Sequence, residues 1–357
     1  MPSAWAIICS ASCGNQLTTS TYDFMKRLYL LVTLLLYVGI CPAQTVRRVL
    51  YPTITVSDLD RVLPFYTDVL PFQLLGIRTV QGPALTRLFA LSSSNVSARI
   101  ATLQLGVDTL ELMDFTQPST ARPIPFDSRS NDGWFQHIAI VVRDMDQAYS
   151  QLRQRKVTHI STGPQTLPAY IPAAAGVRAF YFRDPDGHSL ELISFPPGKG
   201  KPVWQLPGDP LFLGIDHTAI GSEDTDTSLA FYRDLLGLTV GGSSENYGPE
   251  QEHLNQVYGA RLMISGLTTG AGLGIELLDY VAPPGGRPYP AQSRATDLWH
   301  WHTTLLVSRL DELLSRIKKQ NYTLISPGIV PLDGLGIAAR RGLLVRDPDG
   351  HALLLCE

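Results

Sequence analysis

The sequence repeats itself at two levels, and this constrains the fold more than any other feature. Arg183-Asp-Pro-Asp-Gly-His188 recurs as Arg346-Asp-Pro-Asp-Gly-His351, 163 residues later. Phe65-Tyr-Thr-Asp-Val-Leu70 recurs as Phe231-Tyr-Arg-Asp-Leu-Leu236, 166 residues later. Two similar halves follow, 46–197 and 211–357, joined by a linker over 198–210 that the stretch Phe195-Pro-Pro-Gly-Lys-Gly-Lys-Pro202 announces.

Each half divides again. Segments 51–58, 137–144, 217–224 and 302–309 are four versions of one strand, marked by alternation and β-branched residues. Polar turns such as Ser57-Asp58 cap the helix that follows. In 310–320 the residues Leu310, Leu313, Leu314 and Ile317 form one apolar stripe. Asp-Pro-Asp-Gly is a tight turn: proline presets its own backbone angle and glycine accepts a positive φ. Short strands near 109–115, 189–195, 273–280 and 352–356 complete each unit. The expected fold class is α+β, built from four βαβββ units.

The N-terminus reads as an address. Lys26-Arg27 precede thirteen uncharged residues, 28–40, and Cys41-Pro-Ala43 offers a small residue for cleavage. Thirteen residues fall short of the roughly 20 that cross a bilayer. The expectation is a signal peptide over 25–43 with export to the periplasm or medium, preceded by a mis-assigned extension, 1–24. Cleavage after Ala43 removes Cys9, Cys13 and Cys41 and leaves Cys356 as the one thiol, so neither an internal disulfide nor a cysteine metal site is expected. A net charge of −3 without basic clusters argues against nucleic acid as a partner.

The four βαβββ units, the Phe-Tyr-x-Asp-x-Leu helix and the Asp-Pro-Asp-Gly-His turn together resemble the vicinal oxygen chelate superfamily, which includes glyoxalase I, extradiol dioxygenases and bleomycin-resistance proteins. The resemblance implies that paired units curl into cups. It also implies that divalent-metal ligands come from the start of each first strand and the middle of each last strand. With each half closing its own cup, the C-terminal set is His217, Glu276 and His302, with Leu354 in the fourth place. The N-terminal set is Glu111, His137 and Glu191, with Tyr51 in the fourth. Two imidazoles and a carboxylate suit Fe, Mn or Zn, so the C-terminal cup is preferred.

His300, two residues before His302, is the candidate acid–base group. His188 and His351 are expected to stabilise turns. The implied function is metal-dependent dioxygenase, isomerase or lyase chemistry on a small molecule with neighbouring oxygens, by a monomer or homodimer. Leu354 argues against ordinary extradiol cleavage and ordinary glyoxalase I activity. The alternative is a metal-free protein that sequesters a small molecule on aromatics such as Trp299, Trp301 or Tyr247.

Overall fold

The computed structural model describes residues 45–93, 95–116, 121–208, 210–284 and 286–357. The expected extension and signal peptide lie outside the described residues. Among the described residues no helix is long and apolar enough to cross a membrane.

Unit 1 comprises β1 (Val46–Val56), α1 (Leu59–Pro64), β2 (Gln73–Gln81), α2 (Pro83–Leu88), β3 (Ser97–Leu105) and β4 (Asp108–Phe115). Unit 2 holds β5 (Gln136–Val142), α3 (Met145–Gln154), the short β6 (Thr158–His159) and β7 (Gln165–Thr166), then β8 (Arg178–Arg183) and β9 (Ser189–Ser194). Unit 3 is β10 (Phe212–Ser222), α4 (Thr225–Leu229), β11 (Thr239–Tyr247), α5 (Pro249–Asn255), β12 (Arg261–Thr268) and β13 (Gly274–Ala282). Unit 4 is β14 (Trp301–Val307), α6 (Leu310–Lys319), β15 (Val330–Pro331), β16 (Arg341–Arg346) and β17 (Ala352–Cys356). The four expected units are all present.

Helices α1, α3 and α4 start with the capping chemistry read from sequence. Asp58 accepts hydrogen bonds from the amides of Asp60 and Arg61, Asp144 from that of Gln147, and Asp224 from that of Thr227. Helices α1 and α4 widen into π-helical turns, Phe65–Val69 and Ala230–Leu235, which carry the repeated Phe-Tyr motif. The sequence reading did not anticipate α2 and α5. Both begin at a Gly-Pro pair, with Gly82 at φ +95° and Gly248 at φ +94°, followed by proline in the first turn.

The pairing of units differs from the expectation that each half closes its own cup. One sheet runs β15-β16-β17-β14-β1-β4-β3-β2 and joins units 1 and 4; the other runs β11-β12-β13-β10-β5-β9-β8-β6 and joins units 2 and 3. First strands meet antiparallel at the centre of each sheet. Thr53 lies opposite His302 and Tyr51 opposite Thr304; Ala219 lies opposite His137 and His217 opposite Ala139. The main core takes one face of both sheets, through Ile54, Ile138, Ile220 and Leu305, together with buried residues of α1, α3, α4 and α6. Alternate residues of the same strands therefore face the cups.

Units of one half are tied by the two repeated motifs rather than by strand pairing. Tyr66 of unit 1 donates its hydroxyl to Asp184 Oδ2 of unit 2 at 3.0 Å. Asp184 also accepts the amides of Asp186 and His188, both at 2.9 Å, and His188 Nδ1 at 2.8 Å. His188 Nε2 donates to the Leu298 carbonyl at 2.7 Å. In the other half Tyr232 donates to Asp347 at 2.9 Å, and Asp347 accepts the amides of Asp349, Gly350 and His351. Gly187 and Gly350, at φ +93° and +106°, supply the left-handed backbone these turns need.

With both ring nitrogens donating, His188 is an imidazolium. Burial opposes that charge, but Asp184 outweighs it and raises the His188 pKa; burial likewise opposes the Asp184 carboxylate, which His188 and the Tyr66 hydroxyl hold below the usual range. Replacing Tyr66 with Phe is expected to lower the unfolding free energy by about 1.5–3 kcal/mol, the scale of a hydrogen bond to a charged group. His188→Gln should cost most between about pH 4 and 6.5, where the ordinary values of both groups lie outside the window. The deficit should shrink as pH rises through the raised folded value of His188, because the native imidazolium is then lost. Urea unfolding of both variants across pH 4–9 measures this, and a pH-independent deficit for His188→Gln would exclude the ion pair.

Candidate metal centre

The β5–β10 ladder and its parallel flanks assemble a cluster from four strands. His137 and His217 face one another from the central pair, ring centroids 5.7 Å apart. Strand β9 runs parallel to β5 with Glu191 beside Ala139, and β13 parallel to β10 with Glu276 beside Ala219. Glu191 Oε2 lies 3.0 Å from His137 Nε2 and 3.7 Å from His217 Nε2, and Glu276 Oε2 lies 3.3 Å from His217 Nε2. Ligand atoms of His137, Glu191 and His217 fall within 4.8 Å of one another.

His137, Glu191 and His217 are buried, whereas the Glu276 side chain is 30% exposed. Both nitrogens of His137 and Nε2 of His217 are buried without a hydrogen-bond partner. Stranded polar atoms of this kind cost about 1–3 kcal/mol each, which a cation among them recovers. Two imidazoles and a carboxylate with ligand atoms gathered together, and a second carboxylate 3.3 Å from His217, fit Fe, Mn or Zn.

Charge coupling in the cluster is strong. Burial pulls the His217 imidazole down, but Glu276, then Asp216 and Glu191, raise it to about 9. Burial raises the Glu276 carboxyl, with Glu191 adding to that and His217 opposing it. Asp216 is held well below the carboxylate range, because hydrogen bonds from His217 and Trp204 and the charge of Lys201 outweigh its burial.

A cavity of about 330 Å³ opens onto Glu191, His217 and Glu276. Leu167, Val177 and Ile193 give it an apolar wall, while Ser243, Ser244 and Asn246 give a polar one. The Asn246 Oδ1 is buried without a partner. Gln251 and Leu254 of α5 also line the cavity; sequence reasoning missed them, although the repeated Gly-Pro pair marks that helix.

The ligand places of the other cup hold Tyr51, Glu111, His302 and Leu354, and its free space is about 10 Å³, scarcely enough for one water. Arg78 reaches in, its guanidinium 2.8 Å from Glu111, while Thr53 and Thr102 also donate to that carboxylate. Phe89, Leu335 and Leu354 fill the remainder. Burial pulls His302 down to about 3, so its ring is neutral. The Tyr51 hydroxyl is pushed up by burial and by Glu111.

The two expected ligand sets are therefore redistributed. His217 and Glu276 stay together and are joined by His137 and Glu191, whereas His302 and Glu111 belong to the filled cup. The physical reason is the strand pairing, which joins units 2 and 3 instead of units within a half. Leu354 does occupy a glutamate place, but in the filled cup, so its objection to glyoxalase-type chemistry does not reach the open one. His300 is buried beside His302, 6.0 Å between rings, just before β14 of the units 1–4 sheet and apart from the cavity. Trp299 and Trp301 are buried outside the cavity, and Tyr247 stacks near Tyr170 at 5.2 Å. Cys356 is buried in β17, its thiol pushed up to about 11 by burial.

Comparison with known proteins accords with this architecture. A curated relative, 2-epi-5-epi-valiolone epimerase from Actinomyces sp., is 36% identical over 163 residues, covering 45% of this chain and 84% of the relative. Glyoxalase I from Zea mays shares the fold at a TM-score of 0.57 and 17% identity, over 87% of this chain and 92% of that one. A putative dioxygenase from Bacillus subtilis does so at 0.52 and 14%, over 88% and 86%. The model of the Glyoxalase/Bleomycin resistance protein/Dioxygenase superfamily matches residues 48–192 and 214–355, one match per half, and the chain belongs to that superfamily.

Proposed function

We propose that this protein is an exported, divalent-metal-dependent isomerase of the epimerase type, acting on a small molecule with neighbouring oxygens. The observation that carries the reading is the clustering of His137, Glu191 and His217, with Glu276 3.3 Å from His217, beside a cavity, with imidazole nitrogens that make no hydrogen bond. The likeness to 2-epi-5-epi-valiolone epimerase favours isomerase chemistry over ring cleavage.

A divalent ion held by these four residues supplies Lewis-acid polarisation of a carbonyl and its neighbouring oxygen. Inverting a carbon next to a carbonyl breaks a C–H bond on one face and restores one on the other. Glu276, the carboxylate more open to the cavity, takes that proton at its carboxylate oxygen. Glu191, with a side chain only 6% exposed, acts in its protonated form, delivers its proton to the opposite face and becomes the carboxylate, and a proton passing from Glu276 to Glu191 through solvent resets the pair. Leu167, Val177 and Ile193 limit water around the carbanionic carbon, while Ser243, Ser244 and Asn246 orient substrate hydroxyls.

Elemental analysis of protein purified without chelators should find about one Fe, Mn or Zn per chain. His137→Ala and His217→Ala should lose it; His302→Ala should keep it. Absence of metal after reconstitution, or its loss in His302→Ala alone, overturns the reading.

Glu276→Gln should slow exchange of the substrate α-proton with deuterated solvent about 10²–10⁴-fold, the usual contribution of a general base. NMR on a panel of α-hydroxy ketones reads this beside metal content. An unchanged rate at full metal occupancy would remove Glu276 from the role.

Export rests on Lys26-Arg27 and the apolar run 28–40. Intact-mass measurement of the exported protein should give a chain starting at Gln44, and a chain still carrying residues 25–43 excludes cleavage there.

A further inference from the structure

We infer that Asp216 is a positioning residue for His217, clamped in turn by Trp204 and Lys201 of the segment joining the two halves. This rests on the reading of His217 as a metal ligand. His217 donates Nδ1–H to Asp216 Oδ2 at 3.0 Å, which leaves Nε2 facing Glu191 and Glu276. A carboxylate on the far nitrogen fixes the ring orientation and makes the near nitrogen a better ligand.

Neighbouring residues on a regular strand point to opposite faces, so this contact needs an explanation. It comes from a bulge. Ile215 pairs with Ile140 and His217 with Ala139, which leaves Asp216 as an extra residue in β10. The same bulge recurs in β1, where Val49 pairs with Leu305 and Tyr51 with Thr304, and the extra residue there is Leu50. Leu50 packs against an apolar cluster. The backbone feature thus belongs to the fold and accepts an apolar side chain, whereas the carboxylate occurs where the adjacent residue is a candidate ligand. The equivalent neighbours of His137 and His302 are Gln136 and Trp301.

Asp216 is itself held. Trp204 Nε1 donates to Oδ1 at 2.6 Å, and Lys201 Nζ lies 3.4 Å from Oδ1 while donating to the Asp216 carbonyl at 2.7 Å. Trp204 sits in the 3₁₀ turn Pro202–Gln205. Gly214 leaves room for the indole, since a Cβ there would lie 3.0 Å from a ring carbon. The connecting segment therefore reaches the cluster through one indole and one ammonium.

The test is zinc affinity of the full chain, by competition with a chromogenic chelator, beside thermal unfolding of the metal-free protein. Asp216→Asn is expected to weaken zinc binding about 10–100-fold. Trp204→Phe, which keeps the ring but loses the donor, should weaken it about fivefold, the scale of one hydrogen bond. Both should leave the metal-free unfolding midpoint within a few degrees of the parent. If both variants bind zinc within twofold of the parent, Asp216 only supports the fold and the inference is overturned; if Trp204→Phe alone does, the clamp from the connecting segment is overturned. A parent protein that binds no zinc would sink the four-ligand reading and this inference together.

Discussion

The antiparallel ladder between β5 and β10 is the constraint on which the site depends. It sets His137 and His217 on one face of one sheet, each two residues from an alanine that lies opposite the other imidazole. The parallel strands β9 and β13 then bring one glutamate beside each alanine. A one-residue slip of β5 would turn His137 toward the main core and Ile138 toward the cavity. That outcome carries two costs at once, an unpaired imidazole in an apolar core and an apolar lining around two carboxylates. The apolar residues on one face and the polar cluster on the other thus enforce the same register.

The two cups show how one scaffold resolves the same electrostatic problem differently. In the open cup two carboxylates and two imidazoles lie together, with His137 and His217 each within ion-pair distance of a glutamate. In the filled cup a single carboxylate, Glu111, has the Arg78 guanidinium and two threonine hydroxyls. Tyr51 and Leu354 take two ligand places there, and apolar side chains occupy the space. A guanidinium against the carboxylate, with leucine and phenylalanine in the space, makes this cup a packed one. The backbone pairing scarcely changes, since Thr53 and Thr304 keep the positions that Ala219 and Ala139 hold.

Much of this was legible from sequence. The repeats marked four units, and counting from each His of the Asp-Pro-Asp-Gly-His turn put Glu191 and Leu354 in equivalent places, as their parallel neighbours Ala139 and Thr304 bear out. Which unit pairs with which was not legible. Four first strands with nearly the same pattern can pair in more than one way, and each way leaves every motif residue in an equivalent position. The motifs themselves misdirect, because they do connect the units of one half: Tyr66 reaches Asp184, and Tyr232 reaches Asp347. Those contacts run between a helical turn and a β-turn, however, and say nothing about the strand edges. Asp216 escaped notice for a related reason, since strict alternation sends it away from His217 and a bulge has no strong sequence mark.

Both kinds of connection act together on the open cup. Hydrogen-bonded triads tie unit 1 to unit 2 and unit 3 to unit 4, while strand ladders tie unit 2 to unit 3 and unit 1 to unit 4. The four units therefore form a closed ring of contacts, and no single break separates the halves. Each half supplies one histidine and one glutamate to the cluster: His137 and Glu191 from the first, His217 and Glu276 from the second. The filled cup is the other link in that ring. Its packed interior and the Arg78 hydrogen bond to the Leu335 carbonyl hold units 1 and 4 together, and through the triads they brace the two units that carry the cavity. A cup with no room for a ligand thus serves the one that has it, by making the β5–β10 ladder one side of a closed frame rather than a lone contact between two halves.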